Sequence, residues 1–144
     1  MVWIDLLYWG DRGYIKPILN LWVPNEMDKM AYKILEKDAE WVAPILWRSE
    51  FRNVLALYLG NDILDFSIAL QVIEEAEQLM VSREFEVNST QVLSLVSDSS
   101  CSSYDCEFVA LADDLGVKLV TFDKKIHKEF PEIGVSPEEF IAEP

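Results

Sequence analysis

Three acids stand where a charge is costly to bury. Glu50 lies in a helical pattern with Trp47 at i−3 and Val54 at i+4, so its carboxylate sits on or beside an apolar stripe. Asp105 stands next to Tyr104 and near Phe108 at the start of a second helical pattern, and Asp123 closes the apolar segment KLVTF. Carboxylates brought together repel one another, and each then resists ionising. A divalent cation resolves that conflict. Mg²⁺ and Mn²⁺ prefer hard oxygen ligands and keep several waters, and such an ion polarises phosphoryl oxygens and activates water. Gathered into one pocket, the three acids would make a metal-dependent phosphodiester hydrolase. Each also has a plainer reading. Asp105 could be only the capping partner of Ser102, Asp123 could cap the segment KKIHKEF, and Glu50 could pair with Arg48 or Arg52 at the surface.

The elements that would position these acids follow from the pattern. In SSYDCEFVALADDLGVKLVTFDKKI, Ser102 fits an N-cap and Asp105 the third helical position, as in a capping box. Tyr104, Phe108, Leu111, Ala112 and Leu115 recur at helical spacing, and Gly116 marks a left-handed stop. A strand over 118–122 follows and ends on Asp123. ILWRSEFRNVLALYLG, residues 45–60, predicts a helix with Trp47, Phe51, Val54, Leu55 and Tyr58 inward and Asn53 one turn beyond Glu50. Further helices are expected over 27–38, 62–80, 89–100 and KKIHKEF, and short strands at MVWID, 40–43 and 84–87. In the helix over 62–80, Ile63, Phe66, Ala69, Leu70, Ile73 and Ala76 are expected inward. GVSPEEFIAEP predicts a last strand residue and a tail turn. Strands alternating with helices predict an α/β fold with a mostly parallel sheet covered on both faces. In such folds sites open at the carboxyl ends of the strands.

Composition bounds the partners. The chain has 144 residues, enough for one domain spanning 1–144 with a sizeable core. Twelve Lys and Arg against 26 Asp and Glu give a net charge of −14. That field repels phosphate and argues against non-specific nucleic-acid binding, although a bound divalent metal can invert the sign locally. Cys101 and Cys106 form neither a disulfide framework nor a zinc pattern, so a reducing cytoplasm is expected. No apolar run is long enough to span a membrane. Trp47, Phe51 and Cys106 read as core, and the single His, His127, as exposed.

In order, these pieces resemble the PIN domain family, and its VapC-type toxins in particular. WVAPILWRSEFRNVLALYL is similar to the family's second-helix signature and places Glu50 at its acidic position. CSSYDCEFVALADDLGVKLVTFDKKI is similar to its most recognisable segment, with Asp105 and Asp123 at two further acidic positions and Ser102 and Thr121 at nearby hydroxyl positions. The match runs from about Pro24 to Pro131. The resemblance implies an α/β/α sandwich of PIN type, a Mg²⁺- or Mn²⁺-dependent endoribonuclease, a homodimer, and a VapB-type antitoxin that blocks the site. It implies metal ligation by Asp5, Glu50, Asp105 and Asp123, with Asn53, Ser102 and Thr121 orienting them. RNA contact is expected from Arg48, Arg52, Lys124 and Lys125.

The chain departs from the pattern at the first acid. Asp5 ends a plausible first strand, but LLYW follows in place of the usual small residue and then Asn or Ser. Counting back from PNE at the family's spacing lands on Tyr14, and Asp11 is a third candidate. Asp5 is the strand-terminal choice, at the cost of a roughly one-turn loop insertion, which loops absorb cheaply. Without a convergent first acid, metal affinity falls and the chain reads as an inactive relative acting through protein contacts.

Overall fold

The computed structural model describes Val2, Trp3 and residues 28–144. Asp5, Asp11 and Tyr14 lie outside the described residues. The described elements run β1 (Val2–Trp3), α1 (Asp28–Lys37), β2 (Ala43–Pro44), α2 (Trp47–Gly60), α3 (Phe66–Leu79), β3 (Glu84–Phe85), α4 (Ser89–Ser97), α5 (Ser103–Leu115), β4 (Leu119–Val120), α6 (Lys124–Glu129), β5 (Gly134–Val135) and α7 (Pro137–Ala142). All strand pairs among them are parallel, in two pieces, β1-β4-β5 and β2-β3. Central β4 is fully buried at Leu119 and Val120, as expected for a strand covered on both faces. α5 packs against β1, β2 and β4 and against α4, and so bridges the two pieces.

The core is built from the large side chains of α2 and α5 with the strands. Trp47, Phe51, Phe108, Val109, Leu119 and Ile126 are all but fully buried in one cluster. Burial of a side chain of this size contributes about 1.5–3 kcal/mol.

Several elements depart from the pattern-based expectation. On α5 the buried residues are Cys106, Phe108, Val109, Ala110, Leu111 and Ala112, whereas Tyr104 and Leu115 are exposed, at 61% and 42%. A helix covered from two sides buries a broad central arc rather than one stripe. The helix expected from Asp62 starts at Phe66, because the Asp65 side chain accepts the Ile68 N–H and caps it there. Its buried face is Ala69, Val72 and Ala76, while Ile63, Phe66 and Leu70 face out. Two apolar arcs compete on that helix, and the small residues of one admit closer packing. Pro44, expected to close a strand, lies within β2. The ladder tolerates it because Ala43 N and Ile45 N donate to Arg83 O and Phe85 O at 3.1 and 3.0 Å, on either side of the missing N–H.

The tail holds more order than a turn. Ser136 and Glu139 form a capping box with Pro137 inside the first turn of α7. Lys37 donates to Phe140 O and, at 2.5 Å, to Glu143 O, with its ammonium 4.7 Å from the Phe140 ring centre. These contacts fasten α7 to the end of α1.

Candidate functional site

The C-terminal end of β4 carries Thr121 and Asp123. Thr121 is fully buried, and its Oγ1 accepts the Asp123 N–H at 3.0 Å. Asp123 caps α6, its Oδ1 accepting the Lys125 N–H at 2.7 Å. The cap reading of Asp123 is thus realised, and it uses one carboxylate oxygen while Oδ2 stays available. His127, expected to be exposed, is half-buried instead, with Nε2 2.7 Å from Thr121 O.

The start of α5 is built as the capping box predicts. Asp105 N donates to Ser102 Oγ at 3.1 Å, and Ser102 N donates to Asp105 Oδ2 at 3.3 Å. Here too one oxygen, Oδ1, is left over. Buried Cys101 stands just before this box. Burial pushes its thiol up, Asp105 and Cys106 push the same way, and Lys125 opposes them. Ser100 Oγ donates to Glu129 Oε1 at 2.7 Å and ties the same loop to α6.

Glu50 sits in the first turn of α2, half-buried, with its Oε2 shut off from solvent. Asn53 is exposed one turn on. Glu50, Asp105 and Asp123 thus all stand at helix starts, where the helix dipole favours a negative charge. Arg48 does not serve as the surface partner of Glu50. It is taken up by Glu84, through Nε at 2.7 Å and Nη2 at 3.1 Å, and by Glu77 at 3.3 Å. The same pairing draws Arg48 away from its expected role in RNA contact. Arg52, Lys124 and Lys125 are exposed.

Glu84 was not singled out by sequence reasoning. Besides Arg48 it accepts the Trp47 Nε1–H at 2.5 Å, so it pins the first turn of α2 to β3. Arg48 holds the Glu84 carboxyl below the usual range, burial works against that, and the Trp47 bond adds to the lowering. No local signal announces this contact, since it depends on β2 pairing with β3. Glu107 was also passed over. It follows Asp105 by two residues on α5, is half-buried, and its carboxyl is pushed up by burial.

Among the described residues no group of three or more His, Cys, Asp or Glu is close enough to hold a metal ion. Glu50, Asp105 and Asp123 therefore do not by themselves form a closed ligand set, and Asp5 lies outside the described residues. By donor chemistry the acids suit a hard divalent cation, since each offers carboxylate oxygen and the caps leave one oxygen free on Asp105 and on Asp123. The thiols of Cys101 and Cys106 are buried and pushed up, chiefly by burial, which sets them against soft-metal ligation.

No family model matches the chain. Ribonuclease VapC3 of Pyrobaculum aerophilum is 28% identical over 127 residues, covering 79% of this chain and 89% of that relative. A chain in the solved structure of FitAB bound to an IR36 DNA fragment superposes with a TM-score of 0.64 at 13% identity, covering 95% of each chain. The fold found is the α/β PIN-like fold that the motifs implied.

Proposed function

From these likenesses in sequence and fold, which support a VapC-type PIN domain, we propose that the chain is the toxin of a VapBC-type pair. In this reading it is an endoribonuclease that hydrolyses RNA phosphodiesters at an acidic site taking Mg²⁺ or Mn²⁺. One structural observation supports this most. Asp105 and Asp123, at the starts of two helices, each spend one oxygen on a cap and keep the other. Glu50, with its buried oxygen, is the third acid. Asp5, which lies outside the described residues, is the fourth by its place in the sequence, two residues beyond β1.

When bound, the ion would polarise the phosphoryl oxygens and activate the attacking water. The chain's own residues do the rest. The four acids hold the ion's position, and Ser102 and Thr121 fix the backbone around Asp105 and Asp123. Asn53 stands by to orient Glu50 or substrate. Arg52, Lys124 and Lys125 offer cations to the RNA backbone, and the exposed Tyr104 ring offers a face for base stacking.

The partner reading has a surface to rest on. Leu57, Ile63, Phe66 and Leu70 form exposed apolar positions on α2, α3 and their connection. From Asn53 to Ser82 the chain carries Asp62, Asp65, Glu74, Glu75 and Glu77 and no Lys or Arg. An apolar segment bearing Lys or Arg complements such a surface, and we assign it to a VapB-type antitoxin on a homodimer of this chain. FitAB was solved bound to DNA. At a net charge of −14 this chain repels phosphate, so in our reading any DNA contact belongs to the antitoxin. No helix among the described residues is long and apolar enough to cross a membrane, and two free thiols suit the cytoplasm we propose.

The test is cleavage of an RNA oligonucleotide by purified, antitoxin-free protein with Mn²⁺, beside its 2′-deoxy analogue. Cuts in RNA alone, lost with EDTA, are expected. Intact RNA at every Mn²⁺ concentration overturns the nuclease reading, and equal cutting of both substrates reassigns it to a general phosphodiesterase. One observation favours a second reading: no three acids close up among the described residues, and LLYW follows Asp5. That reading is a PIN-like module that acts only by binding its protein partner. Calorimetry separates the two, since the module gives no Mn²⁺ heat in either wild type or Asp105→Asn.

A further inference from the structure

We propose that His127 is a positioning residue for Asp123, standing in for a strand hydrogen bond that the chain cannot make. The proposal rests on the reading of Asp123 as a site acid and deepens it. The β4–β5 register pairs Leu119 with Gly134 and Val120 with Val135, which sets Thr121 opposite Ser136. Leu119 N donates to Ile133 O and Thr121 N to Val135 O, both at 3.0 Å. In a parallel ladder the next bond would be donated by the N–H of residue 137 to the carbonyl of Thr121. Residue 137 is proline and has no N–H. The ladder therefore stops one bond short, at a residue with no exposure to solvent. A buried carbonyl left without a donor is destabilising, because it has given up its water for nothing.

His127 fills that vacancy from α6. Its Nε2 lies 2.7 Å from Thr121 O, and since a carbonyl only accepts, Nε2 carries the proton. Gly134 gives the ring its seat: a Cβ there would come within 3.4 Å of His127 Cδ2 and 3.1 Å of Ile126 Cγ2. The same turn is closed by Thr121 Oγ1 on the Asp123 N–H and by His127 N donating to Asp123 O at 3.2 Å. Asp123 thus lies in a turn whose strand end, at Thr121, the His127 ring holds through the Thr121 carbonyl. Without the ring, the Thr121 carbonyl loses its donor, and the turn that carries Asp123 is held less firmly to β4.

The experiment compares wild type, His127→Ala, His127→Gln and the double variant His127→Ala with Pro137→Ala. The Gln amide can replace Nε2–H, and an alanine at 137 restores the missing backbone donor. Amide hydrogen exchange in EDTA is read at Asp123 and Lys125, with Val54 and Leu55 of α2 as references. His127→Ala is expected to speed exchange at Asp123 and Lys125 by tenfold or more and to leave the references unchanged. His127→Gln and the double variant should return the rates toward wild type. Mn²⁺ affinity should follow the same order, falling by about 10- to 100-fold in His127→Ala. Wild-type exchange at Asp123 and Lys125 in His127→Ala overturns the proposal, as does acceleration that neither rescue variant corrects. Should wild type bind no Mn²⁺, the ion-binding reading fails, while the exchange rates still decide whether His127 holds the turn.

Discussion

At the residue scale, the proposed function gives the acids two jobs at once, capping and metal ligation, and the two can be separated. Asp105 and Asp123 both accept backbone N–H bonds as helix caps. Asparagine caps about as well as aspartate, but it is neutral and a weak ligand for hard cations. Asp105→Asn and Asp123→Asn should therefore melt within a few degrees of wild type while losing Mn²⁺-dependent RNA cleavage by about 100-fold or more. Thermal melting beside single-turnover cleavage checks this. A large fall in melting temperature would show that capping, not ligation, is what the charge serves.

Glu84 yields a pH prediction of definite sign. Its carboxyl lies below the usual range, chiefly through the Arg48 bond. A lowered folded value stabilises the protein above the ordinary carboxylate pKa of roughly 4.3 and loses that stabilisation as pH falls through the lowered value. Glu84→Gln should lower stability at pH 7 and flatten the loss of stability on acidification, as read by urea denaturation across pH 3–7. Because Glu84 also holds Trp47, the variant should loosen the turn bearing Glu50 as well.

At the element scale, the parts that determine themselves locally were legible in the sequence. The capping box of Ser102 and Asp105 and the left-handed stop at Gly116 were predicted from residue type and were found, Gly116 with φ 63°. Ser102→Ala should cost about 1 kcal/mol. Gly116→Ala should cost about 1–2 kcal/mol through the left-handed backbone alone, because a Cβ there meets nothing within 4 Å. Chemical denaturation of both variants checks these values. What depends on neighbours was not legible. The helix Phe66–Leu79 is apolar on two arcs, and periodicity cannot choose the one that packs on α2. Glu84 and His127 gain their roles only when β2 meets β3 and β4 meets β5, pairings between segments far apart in the chain. The acids at 50, 105 and 123 were singled out because each breaks an apolar pattern, whereas their arrangement in space has no sequence signal.

On the scale of the whole molecule, the charge of −14 sets the conditions under which the proposed nuclease works. Exposed Arg52, Lys124 and Lys125 must draw RNA against that field. The few phosphates they engage make binding salt-dependent. The Michaelis constant for RNA should rise several-fold between 50 and 200 mM salt while the turnover number changes little. A basic partner seated on the acidic face should relieve that repulsion and also block the site.

The central claim is that acids from three separated segments serve one divalent ion. Quenching of the free Mn²⁺ paramagnetic resonance signal, with wild type, Glu50→Gln, Asp105→Asn and Asp123→Asn titrated in turn, tests it most directly. The account predicts saturable quenching by wild type and affinity at least tenfold weaker in all three variants. A Glu50→Gln protein that quenches the signal as well as wild type, or a wild type that leaves it untouched, would contradict it.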